Sequence, residues 1–190
     1  MNQIKDAVAI LRLDKEKIAS VATRSDATKW GIIILAVAPL FNVLLSSLVF
    51  SSGYSEIFRQ VVLWKMLIPS MALVGSIFAM SFVAERFFKA GNFHIQFFNV
   101  LAYASIVLWL SSISFLLDFI GLIYAGRLFD LLWSVGLIAI LVVAYTFLVH
   151  YKHLAQKDAA LTIVGGVLAY FLLQQILGNV LVGRNYYTIF

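Results

Sequence analysis

Five uninterrupted apolar runs, each the length of a membrane-spanning helix, constrain this chain more than any other feature. A helix needs roughly 20 mostly apolar residues to cross ~30 Å of hydrocarbon. The runs cover residues 30–50, 61–84, 97–117, 131–149 and 159–182. Backbone groups inside lipid must be satisfied by the chain itself, which leaves only helices and closed barrels. Barrel strands alternate polar and apolar residues over about ten positions. These runs are continuous, so helices are predicted. Composition agrees: 63% of the residues are hydrophobic and 12% charged, against about 45–50% and about 25% in soluble domains. A core of this length cannot hide so much apolar surface from water. The expected fold is an all-α integral membrane protein. Five transmembrane helices form a compact bundle over residues 30–190, preceded by an amphipathic interfacial helix within residues 1–29.

The links between runs are short and rich in turn formers. Ser51-Ser52-Gly53-Tyr54-Ser55 joins the first two runs, and Ala90-Gly91-Asn92 breaks the chain before the third. Gly121 and Gly126 flank the turn before the fourth, and the segment 150–158 leads to the fifth. Short links imply antiparallel neighbours. With five crossings, ten of the fourteen Lys and Arg residues fall on the side of the N-terminus. Lys and Arg concentrate on cytoplasmic flanks, so a cytoplasmic N-terminus and an external C-terminus are expected. The net charge of +5 is then addressed to a lipid surface rather than to nucleic acid. No cleaved leader is expected, because the first apolar run is too long for a signal-peptide core. Trp30, Trp64, Trp133 and Tyr151 sit near run ends, where amphipathic rings prefer the headgroup level. Trp109 is deep in the third run, where its indole N–H requires an acceptor.

Residues 1–29 read differently. Ile4, Val8, Leu11, Ile18 and Val21 recur at near-helical spacing among charged residues, as in a helix lying in the interface plane. Asp26 is placed to cap the first span.

The polar residues within the runs are the candidates for chemistry. Lys65 lies inside the second run, and a charge at mid-bilayer costs at least ~2.5–3.5 kcal/mol. It must therefore pair, snorkel or line water. Asp118 and Asp130 fall on the same side, and a Lys65–Asp118 pair is geometrically allowed. Gln174 and Gln175 lie in the fifth run, and amides of this kind commonly join helices. His150 and His153 stand three apart at the end of the fourth run, a spacing that puts two ligands on one helical face. No cysteine accompanies them, and no metal or cofactor is expected. Pro39 and Pro69 interrupt the first two runs. HExxH, GxSxG and Walker patterns are absent, and so are disulfides, since the chain has no cysteine.

Several stretches together carry a resemblance. Leu13-Asp14-Lys15-Glu16-Lys17-Ile18-Ala19 precedes a polar gap and Trp30. Gly91, Phe93 and Gln96 form a glycine turn, an aromatic and a glutamine, followed by the apolar Ala102-Tyr103 pair early in the third run. Trp133 opens the fourth run, and a His-containing basic link closes it. This order resembles the bacterial type of the Yip-domain (Ypt/Rab-interacting protein) family over nearly the whole chain. The Asp-Leu-Tyr-Gly-Pro-like motif of eukaryotic relatives is missing, and so is the proline after the Gly-Tyr pair. Without those motifs, Rab binding is not part of what the resemblance implies. It implies a non-enzymatic scaffold or adaptor in a bacterial plasma membrane, with the bilayer, other membrane proteins or further copies of itself as partners. The competing expectation is a transporter or channel subunit with a polar path near Lys65, Asp118 and Gln174.

Overall fold

The computed structural model describes residues 2–49, 56–122 and 125–183. The Ser51–Ser55 link and Arg184 lie outside them. Within them the chain is helical throughout: α1 (Asn2–Leu11), α2 (Lys15–Thr23), α3 (Ala27–Val49), α4 (Glu56–Phe88), α5 (His94–Ala104), a 3-10 segment (Ser105–Ser111), α6 (Ser112–Phe119), α7 (Ala125–Thr146), a π segment (Phe147–Tyr151) and α8 (Gln156–Leu181). Five stretches are long and apolar enough to cross a membrane: Ala27–Leu48, Leu63–Phe88, His94–Phe119, Arg127–Tyr151 and Gln156–Leu181. The architecture is an all-α membrane bundle.

The third span is its centre. It packs on α3 along one side and on α7 along the other, while α4 covers α3 and α8 lies outermost against α4. Accordingly 61% of the third span is buried, but only 17% of α8. The large side chains left exposed, such as Ile32, Leu44, Phe82, Ile138 and Leu168, are apolar. That surface is suited to lipid chains rather than water.

Close approach between spans uses small residues, because lipid tails supply no hydrophobic force to press helices together. A Cβ on Gly31 would stand 2.9 Å from the Ala102 Cβ, so α3 and α5 meet nearly backbone to backbone. Gly166 likewise lets the Met80 side chain lie directly on α8.

The serines account for the break in the third span. Ser105, Ser111 and Ser114 each donate to the carbonyl three residues back, at 2.6 Å. Such bonds compete with the ordinary helical ladder and tighten the turn. One uninterrupted helix was expected here, and the structure corrects that. Gly126 also departs from expectation, lying inside α7 rather than in the preceding turn. Gly121 does form the turn, with φ 74°.

The N-terminal segment is a pair of helices rather than one amphipathic helix. Leu13 adopts a left-handed φ of 62°, and the Asp14 N–H closes back on the Ala9 carbonyl. That geometry terminates α1. Asp14 Oδ1 then accepts from the Glu16 and Lys17 N–H groups at 3.0 and 3.1 Å, capping α2. Ala7, Ile10, Ile18, Val21 and Ala22 turn inward and are buried, whereas Ile4 and Val8 stay outside. The hairpin rests on α5, with α7 and the π segment beside it. The hairpin thus marks one end of the bundle, the basic end.

Candidate functional site

The densest polar constellation is where the hairpin meets the third span. Tyr103 is fully buried on α5. Its hydroxyl accepts from Arg24 Nη2 at 2.5 Å, and the guanidinium lies 5.6 Å from the ring centre. The same guanidinium donates through Nη1 to Asp6 Oδ2 at 2.7 Å, and its Nε stands 2.6 Å from Asp26 Oδ1. Asp26 is thus an ion-pair partner of Arg24 rather than the side-chain cap expected for the first span. Lys17 Nζ approaches the other Asp6 oxygen at 3.3 Å. Burial alone would raise the Asp6 pKa. The hydrogen bonds from Arg24 and then Lys17 outweigh it and hold the carboxyl below its ordinary value. One turn away, Thr28 donates to Asn99 Oδ1 at 2.8 Å, joining α3 to α5.

A second cluster locks the turn between α4 and α5. Glu85 accepts the Phe93 N–H through Oε1 at 3.0 Å and pairs with His94 Nε2 through Oε2 at 2.9 Å. His94 Nδ1 also lies 2.8 Å from the Ser81 hydroxyl. Across from them, Lys152 donates to Gln96 Oε1 at 2.9 Å and sits 4.8 Å above the Phe93 ring. Burial draws the Lys152 pKa down, and the Glu85 charge opposes it. Phe93 itself packs on Phe97 and Phe147, at ring separations of 5.6 and 6.0 Å.

The positions that carried the family resemblance therefore do identifiable work at the basic end. Gly91 makes the turn with φ 74°. Phe93 and Gln96 receive Lys152, Ala102 admits Gly31, and Tyr103 holds Arg24.

Deeper in the bundle, Asn42 bridges α3 to the break in the third span. Its Nδ2 donates to Ser111 Oγ at 3.0 Å, and its Oδ1 accepts from Ser112 Oγ at 2.6 Å. All three are buried. Trp109 finds its acceptor in the Ile34 carbonyl at 3.0 Å. Each group in this centre is satisfied by a neighbour, the arrangement of a structural clamp. Replacing Asn42 with Leu should cost about 0.6 kcal/mol and at most about 2. Reversible unfolding in mixed detergent, compared with the parent chain, measures it.

The remaining polar candidates are distributed differently from expectation. Asp130 on α7 is near enough to act on the Lys65 charge. Asp118 is half-buried near the end of α6, Gln174 is half-buried, and Gln175 is exposed on α8. His150 lies in the π segment, whereas His153 follows the helix end with a left-handed φ of 54°. The two histidines therefore do not share a helical face. Among the described residues no group of three His, Cys, Asp or Glu side chains is arranged to hold a metal.

Asp6, Arg24, Glu85 and His94 went unnoticed in the sequence as a functional group. Arg24 meets Asp6 across 18 residues and Tyr103 across 79, spacings that carry no local signature. Comparison with family models, with curated proteins and with solved structures finds no match.

Proposed function

We propose that this chain is a small non-enzymatic membrane adaptor of the Yip-domain type, acting through helix–helix and lipid-surface contacts. The docked N-terminal hairpin is the observation that best supports this reading. Its ionic groups Asp6 and Arg24 face the bundle, while Ile4 and Val8 remain 50% and 39% exposed. Together with Lys5, Arg12 and Asp14 they line one open groove along α1, two cations against one carboxylate. Apolar residues flanked by cations suit the boundary of an anionic bilayer. The basic end is then the cytoplasmic face of a bacterial plasma membrane, and a tag on Phe190 belongs outside.

The Lys65–Asp130 interaction favours a second reading, a transport path at the opposite end. One set of single-cysteine variants separates the two, since the chain has no native cysteine. In the adaptor, Lys65→Cys, Asp118→Cys and Gln174→Cys resist a membrane-impermeant maleimide in sealed vesicles. An environment-sensitive dye on Val8→Cys shifts to the blue when anionic lipid is included. Labelling at all three span positions installs the transport reading instead. A dye spectrum that stays water-like in both lipids removes the lipid-surface contact.

A further inference from the structure

The outermost helix, α8, presents one face to α4 and leaves the opposite one uncovered. Ala159, Thr162, Gly166 and Tyr170 are buried on the inner face. At 100° per residue, the outer face is centred on Leu161, Val164, Leu168, Leu172, Gln175 and Asn179, all exposed. The spacing of three and four is that of a helix–helix seam. No charged residue occurs from 159 to 183.

Gln175 is the feature that a lipid-facing surface does not explain. It lies about 10 Å from the midpoint of the helix at 1.5 Å per residue, inside the ~15 Å half-thickness of hydrocarbon. Among the described residues none hydrogen-bonds its amide. A primary amide without partners in hydrocarbon costs several kcal/mol, so this position is built for a group that lies outside the fold.

We propose that the group is the Gln175 amide of a second copy, and that α8 is a homodimerisation helix. Copies inserted with the same orientation are related by a twofold axis along the membrane normal. Parallel packing of α8 on α8 then places each residue opposite itself at equal depth. For most polar residues self-opposition is useless or repulsive. A carboxamide is both donor and acceptor, so two of them satisfy one another. The uncharged seam removes the like-charge clash that self-pairing otherwise creates. A polar residue in the seam also fixes register, and Asn179, one turn further on, lies on the same face. This deepens the adaptor reading by naming one partner, yet it does not depend on the lipid contact of α1.

The test uses the full chain in vesicles over a range of lipid-to-protein ratios. Oxidative cross-linking of single-cysteine variants along α8 should peak at Leu161→Cys, Leu168→Cys and Leu172→Cys, and be minimal at Ile163→Cys. Energy transfer between labelled copies should report a dimer that Gln175→Leu weakens about three- to thirty-fold, the range for one interhelical amide bond in a membrane. Gln175→Asn should recover part of the loss. Monomers at every ratio, cross-links without helical periodicity, or an unchanged Gln175→Leu dimer would each overturn the proposal. So would a different protein found in one-to-one complex on this face. Any of these leaves the dye test on Val8→Cys free to succeed, so the two readings fail separately.

Discussion

Replacing Arg24 with Ala releases the N-terminal hairpin from the bundle while leaving the five spans in place. Among the described residues, Arg24 is the one side chain that touches Asp6, Asp26 and Tyr103 at once. Its loss strands the buried Asp6 carboxylate with Lys17 alone. Breaking a fully buried pair costs about 3–5 kcal/mol. Here the Arg24 side chain is 29% exposed and Lys17 remains, so about 2–3 kcal/mol is expected, or about 30- to 150-fold in the opening equilibrium. Amide hydrogen exchange of α1 and α2 should accelerate by that factor with α3 to α8 unchanged. Asp6→Ala in the Arg24→Ala background should restore part of the protection, since no charge is then stranded. The pH dependence has a definite sign. The folded Asp6 pKa is lowered, so docking is complete above the ordinary carboxylate value and weakens as pH falls through the folded one. Equal exchange rates in the variant and the parent would show that apolar packing of Ala7 and Ile10, not the ion network, holds the hairpin.

The sequence made the spans legible and the site largely illegible, for one physical reason. Span location depends on summed transfer free energy over about 20 neighbouring residues, and that sum survives errors at single positions. The third span was readable as one crossing despite its internal break. The break itself comes from serine hydroxyls turning back on their own carbonyls, a choice between nearly equal hydrogen-bond partners. The hairpin shows the same limit. Helical spacing in residues 1–29 was visible, but a left-handed Leu13 splits it, and Ile4 and Val8 face outward while Asp6 faces in. Which apolar residues turn inward depends on what α5 offers opposite them, and Tyr103 is 97 residues from Asp6.

Gly166→Leu is expected to separate α8 from α4, and the partner side chain offers a way to reverse it. A Cβ at position 166 already falls within the envelope of Met80, which is 1% exposed and has no room to retreat outward. A full leucine side chain forces the helices apart. Overpacking costs typically about 1–3 kcal/mol, and α8 has little else to lean on, because it packs chiefly on α4. In a soluble protein burial would press the helices back together; in lipid the association rests on fit alone. The separation can be read with Val83→Cys and Gly165→Cys, where a Cβ on residue 165 stands 3.5 Å from the Val83 side chain. Disulfide formation should be efficient in the parent background and fall several-fold with Gly166→Leu. Gly166→Ala should sit between them, because the thioether of Met80 is flexible enough to yield partly to one methyl. The decisive variant is Gly166→Leu with Met80→Ala, which exchanges volume across the interface. Recovery of the disulfide there ties the effect to this contact. Failure to recover, or a Gly166→Leu chain that cross-links like the parent, shows that α8 is held by something other than its close approach to α4.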